Sequence, residues 1–135
     1  MDNRITLRRF DDMHCHFRTG PLLKEVLPFT AQYASRGIAM PNTRPRAVLT
    51  GYDVVWYRDE IKRALDEMPD QHPFEPLMTI EIRDSTTPQM IREAHRAGAI
   101  AGKVYPLGVT TNSDEGLRDF DSRRISETFW AMKDI

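Results

Sequence analysis

The 135-residue sequence contains one cysteine, Cys15, which excludes an internal disulfide. It has no apolar run of the length a membrane helix needs, and its N-terminus lacks the basic, apolar and small-residue succession of a secretory signal. The expected compartment is the cytosol, with no membrane partner. An excess of charge is missing too: 19 basic residues meet 20 acidic ones, for a formal net charge of -1. That balance gives no positive field to draw the chain onto nucleic acid or anionic lipid. A small molecule is the expected partner. The seven glycines form no phosphate-binding fingerprint after any candidate strand, which removes the usual reason to prefer an open doubly wound sheet.

What is present is an alternation of strands and helices. The second half of 5–17 reads as a first strand. Gly20-Pro21 then opens a helical stretch with Leu22, Leu23, Val26, Leu27 and Phe29 at helix spacing, which Pro28 should bend or shorten. Residues 37–40 form a short buried strand closed by Pro41-Asn42. Val54, Tyr57, Ile61, Ala64, Leu65 and Met68 recur every three or four residues and predict a helix that Pro69 ends. A strand over 74–82 follows. Thr87-Pro88 then caps and starts a helix running to Ala97, with Gly98 as its stop. Residues 99–105 are the fourth strand, and 122–135 a last helix with Ile125, Phe129, Trp130 and Met132 on its apolar stripe. Strand-helix pairs in succession predict an α/β fold with a parallel sheet, because parallel neighbours need long crossovers. An open doubly wound sheet and part of a (β/α)8 barrel both satisfy this pattern.

Five positions carry chemistry. His14 and His16 are two apart on a predicted strand, so their imidazoles project to one side while Cys15 faces the other. The pair can ligate one cation or simply be polar residues at a strand end. Arg18, two residues on, offers a fork of donors suited to a carboxylate, or is a solvated arginine. Asn42 ends the second strand, as a ligand contact or as a turn residue beside Pro41. Lys103 lies within Ile100-Ala101-Gly102-Lys103-Val104, where a lysine is either paired or modified, or sits near an edge with its amine in water.

These residues fall in three of five sequence blocks: Asp11-Asp12-Met13-His14-Cys15-His16-Phe17-Arg18, Met40-Pro41-Asn42, Pro76-Leu77-Met78-Thr79, Lys103-Val104-Tyr105-Pro106 and Thr110-Thr111-Asn112-Ser113. In order and spacing the set resembles the class II dihydroorotases of the amidohydrolase superfamily, up to about Gly116. The resemblance implies four βα units forming the first half of a TIM-type (β/α)8 barrel, with residues 1–135 a partial barrel domain ending after the fourth helix. It implies a two-zinc centre in which His14 and His16 bind one ion and Lys103, carboxylated to a carbamate, bridges both. Arg18 and Asn42 would hold the carboxylate of dihydroorotate or N-carbamoyl-L-aspartate, and Thr110 and Thr111 would belong to a mobile loop over bound substrate. The implied reaction is the reversible cyclisation of N-carbamoyl-L-aspartate to dihydroorotate, in pyrimidine biosynthesis.

The family draws further zinc-binding histidines from strands five and six and a proton-shuttling aspartate from strand eight, beyond residue 135. The isolated chain is therefore expected to hold at most a partial zinc site and to be inactive as a fragment. His72, in a polar loop, and His95, on a helix among Arg92, Glu93 and Arg96, are expected at the surface rather than as replacement ligands. A half barrel leaves a strand edge open, so self-association or a complementary chain is expected. The alternatives are an inactive half-barrel subunit and another His-x-His metal hydrolase, such as a TatD-like nuclease or a histidinol phosphatase-type enzyme. Arg18 and the Lys103 block speak against the latter.

Overall fold

A computed structural model describes residues 4–69 and 73–135. Its elements alternate strictly: β1 (Phe10–Cys15), α1 (Gly20–Ala31), β2 (Ala34–Ala39), α2 (Gly51–Asp66), β3 (Glu75–Ile82), α3 (Pro88–Arg96), β4 (Ala99–Val104) and α4 (Arg123–Lys133). The four strands form one parallel sheet in the order β1-β2-β3-β4, with Gly37 opposite Pro76 and Ile80 opposite Gly102. Sequential order with helical crossovers is the arrangement of a (β/α)8 barrel, whereas an open doubly wound sheet reverses strand order partway. The open-sheet alternative is thereby set aside.

Local chemistry accounts for the helix boundaries. The Thr50 hydroxyl accepts from the amide of Asp53, and the Asp53 carboxylate accepts from the amides of Leu49 and Thr50, a reciprocal cap that starts α2. Thr87 caps α3 through the Met90 amide, and Ser122 caps α4 through that of Ile125. Gly98 follows α3 at φ +99, a conformation that costs glycine no steric penalty. Pro28 neither ends nor shortens α1, which runs three residues past it to Ala31.

The helices cover one face of the sheet. Leu23, Leu27, Tyr57, Ile61, Ile91 and Ala94 pack with Cys15, Ala39, Met78, Ile80 and Ile82 into a continuous core. One expectation needs correcting. The apolar stripe of α4 was expected to include Phe129 and Trp130, but these are 40% and 60% exposed, and Ile125, Thr128 and Ala131 are the buried set. Thr128 satisfies its hydroxyl against the Thr86 and Arg124 carbonyls, so a β-branched polar residue takes a core position that a hydropathy pattern leaves vacant. At the far side of the sheet, β4 exposes Ile100 and Ala101, and a groove of about 280 Å³ opens between β4 and helices α3 and α4, lined by Ile80, Ile91, Ile100, Gly102 and Met132. No helix among the described residues is long and apolar enough to cross a membrane.

Candidate active site

The site is built where the strands end and the loops begin, the end at which parallel α/β folds collect ligands. Between Asp12 and Cys15 the β1–β2 ladder is irregular, and the Asp12 carboxylate, rather than a neighbouring strand, accepts the His14 amide at 3.0 Å. The strand then turns sharply enough that Arg18 adopts φ 65, a left-handed conformation uncommon for a residue with a side chain.

His14 and His16 converge. Their Nε2 atoms stand 3.1 Å apart and their ring centroids 5.0 Å. Two imidazoles bound to one zinc at about 2.0–2.1 Å and separated in this way would subtend roughly 100° at the metal, close to tetrahedral coordination. Burial, with the nearby Arg18 cation and His14 adding to it, pushes the His16 imidazole below its ordinary pKa, while a hydrogen bond with Asn42 opposes the shift. The neutral ring that results is the metal-binding form. Cys15, on the other face, is 4% exposed within the core, and burial raises its thiol to about 12.

Asn42 is 2% exposed and joins three segments. Its Nδ2 donates to the Thr111 carbonyl at 2.9 Å, its Oδ1 accepts from the Tyr105 hydroxyl at 3.0 Å, and its own carbonyl accepts from Asn112 Nδ2 at 3.1 Å. Asn42 thus ties the end of β2 to the Thr110–Thr111 turn while facing His16. Thr110 and Thr111 themselves are exposed. Lys103 is half-buried on β4, the edge strand, with its Nζ 5.6 Å from the centre of the Tyr105 ring. It also contributes to the field at His16, as do Arg18 and His14.

The sequence reading did not single out Tyr105, Glu81 or Arg83. Tyr105 holds Asn42, and Glu81 is wholly buried at the end of β3, with Oε1 accepting from Arg83 Nε at 2.7 Å. The signal for Glu81 was available, since a glutamate within Ile80-Glu81-Ile82 is as anomalous as a lysine within β4. His95 is exposed on α3, away from these residues, and His72 lies outside the described residues. Among the described residues, no three of histidine, cysteine, aspartate and glutamate come together as a metal-holding group.

A parallel sheet whose strands follow in sequential order with helical crossovers defines a segment of a (β/α)8 barrel, with the histidine pair, Arg18 and Lys103 at or near the carboxyl ends of its strands. No family model matches the chain. It is 46% identical over 115 residues to a dihydroorotase of Neisseria meningitidis, covering 85% of this chain and 32% of that protein. It is 43% identical to the dihydroorotase of Ralstonia pickettii over 136 aligned positions, which take in all of this chain and 38% of the relative. Among solved structures, dihydroorotase from Campylobacter jejuni superposes with a TM-score of 0.81 at 29% identity, over 93% of this chain and 35% of that one. Dihydroorotase from Saccharomyces cerevisiae in complex with 5-fluoroorotic acid superposes at 0.78 with the same identity, over 93% and 33%. By sequence and fold the chain is similar to the dihydroorotases, and it spans about a third of the length of the curated relatives it matches. These matches decide against the TatD-like and histidinol phosphatase-type alternatives.

Proposed function

We propose that the chain supplies the His14-His16 part of the metal centre and the carboxylate-binding groups of a dihydroorotase, acting in the reversible cyclisation of N-carbamoyl-L-aspartate to dihydroorotate. The observation that carries this is the 3.1 Å convergence of His14 and His16 Nε2 beside Arg18, Asn42 and Lys103. Zinc held there would acidify a bound water to a pKa of about 7 and polarise the amide carbonyl. His16, kept neutral by burial and Arg18, offers its ring nitrogen at physiological pH. Lys103, carboxylated by CO₂, would add an anionic oxygen donor beside it.

Substrate orientation falls to the remaining groups. Arg18 is half-buried, and no hydrogen bond or ion pair within the described residues occupies its guanidinium, so it is left to take a carboxylate in two parallel hydrogen bonds. The yeast structure was solved with a pyrimidine carboxylic acid, a ligand of the class these donors suit. Asn42 sets the Thr110–Thr111 turn beside the same space, where it would shield bound substrate from water. This is the chemistry of a small-molecule enzyme of pyrimidine biosynthesis, and the cytoplasm is its fitting compartment.

Catalysis requires a completed barrel. The exposed β4 edge and the groove beside Ile100 and Met132 would receive the rest of the barrel, from the same longer protein, a complementary chain or a second copy. The further zinc ligands and the proton-shuttling aspartate would come from that part. Zinc titrated into the chain is expected to shift the imidazole resonances of His14 and His16 and leave those of His95 unmoved. Equal shifts on all three, or shifts on His95 alone, would refute the metal assignment.

A further inference from the structure

The loop 106–117, which carries Thr110 and Thr111, is closed on itself and then fastened from outside. Leu107 and Leu117 flank its base, where the Leu107 amide donates to the Leu117 carbonyl and the Leu117 amide to that of Tyr105. Gly116 lies so close to Tyr105 that an added Cβ would meet its carbonyl oxygen at 2.3 Å. Two ion pairs reach the loop from neighbouring strand ends. Arg44 binds Asp114 at 3.0 Å, but Asp114 is 84% exposed and water competes for it. The other runs inward: Arg83, with a side chain only 12% exposed, donates through Nη1 to Glu115 and through Nε to Glu81.

We infer that Arg83 is a positioning residue for the Thr110–Thr111 turn, linking buried Glu81 in the sheet to Glu115 on the loop and so setting where the turn stands over Asn42. Glu81 makes this anchor stiff. It is fully buried, its Oε2 has no hydrogen-bond partner among the described residues, and its backbone amide is fixed by the Val48 carbonyl at 2.8 Å. A carboxylate in that position is compensated chiefly by its hydrogen bond and charge pairing with Arg83, with the Arg44 charge adding to it, so Arg83 is held on its inner side. Its outer donors then have one defined place to offer, and Glu115 occupies it. Lysine carries a single ammonium in place of the planar fork and does not bridge both carboxylates in this geometry.

The inference gains its functional meaning from the dihydroorotase reading, but its test does not depend on turnover. Amide hydrogen exchange of the 135-residue chain reads the loop 106–117 directly, with α2 as internal reference. Glu115 is a surface side chain, 65% exposed, so Glu115→Gln leaves the fold intact. Exchange across the loop is expected to rise about three- to tenfold in Glu115→Gln and in Arg83→Lys, with α2 unchanged. With Arg44–Asp114 first removed by Asp114→Asn, raising salt from 0.05 to about 0.5 M should accelerate loop exchange where Glu115 is present and not where Glu115→Gln is added, since screening then acts only on the Arg83–Glu115 pair. Unchanged loop exchange in Glu115→Gln, or equal salt response with and without Glu115 in the Asp114→Asn background, overturns the inference.

Discussion

Cys15 and His16 are neighbours in sequence with opposite chemical environments, and strand alternation is the cause. Cys15 faces the helices and is buried in the core, where its thiol is raised to about 12; at pH 8 roughly one molecule in ten thousand is the reactive thiolate. The folded chain is therefore expected to resist a disulfide reagent at pH 8 and to react fully once denatured; rapid labelling of the native chain would contradict the placement. His16 faces the site, and its convergence with His14 was legible in the two-residue spacing. Arg18 was legible as a residue type, but its φ of 65 was not, because the turn arises from the strand end and not from any glycine. In a completed barrel, Arg18→Lys is expected to raise KM for dihydroorotate about tenfold or more, since an ammonium replaces a paired fork. Unchanged KM would place the carboxylate elsewhere. Asn42's three hydrogen bonds depend on Tyr105, Thr111 and Asn112, which lie 63, 69 and 70 residues away, so that hub was beyond sequence reading.

At the level of elements, all eight predicted segments form, because each carries both periodicity and a local stop or start. Their edges moved where tertiary pairing decided: β2 begins at Ala34, three residues before Gly37, through its ladder with Phe10 and Asp11. Helix α2 depends most on one cap. Burial works against ionisation of Asp53, but hydrogen bonds from the Thr50 hydroxyl, the Leu49 and Thr50 amides and Arg46 outweigh it and hold the carboxyl below its usual range. A depressed acid contributes stability that is present above its unfolded pKa and is lost as pH falls through the folded one. Thermal melts are thus expected to show acid destabilisation setting in below about pH 4, weaker in Asp53→Asn than in the parent chain. An identical acid limb in both would remove Asp53 from the account. Thr50→Ala, which strips the hydroxyl from the same cap, is expected to cost about 1 kcal/mol in denaturant unfolding.

For the whole molecule, the parallel order β1-β2-β3-β4 leaves β4 without a partner on one side, with Ile100 55% exposed beside an apolar groove. Exposed parallel edges pair, so sedimentation of the isolated chain is expected to show mass rising with concentration. A strictly monomeric chain at every concentration would mean the edge is protected. The sequence made the βα order legible, and the family resemblance pointed to a barrel; the groove at β4 came from packing of α3 and α4, which no local pattern reports. The central claim is that these residues furnish the paired-histidine part of a dihydroorotase site. Its most direct test is dihydroorotate hydrolysis by this chain mixed with zinc and a chain holding the remaining part of the Ralstonia pickettii relative. Turnover is expected from the mixture alone, with neither part active separately, and is abolished by His14→Ala or His16→Ala; turnover that survives both substitutions would contradict it.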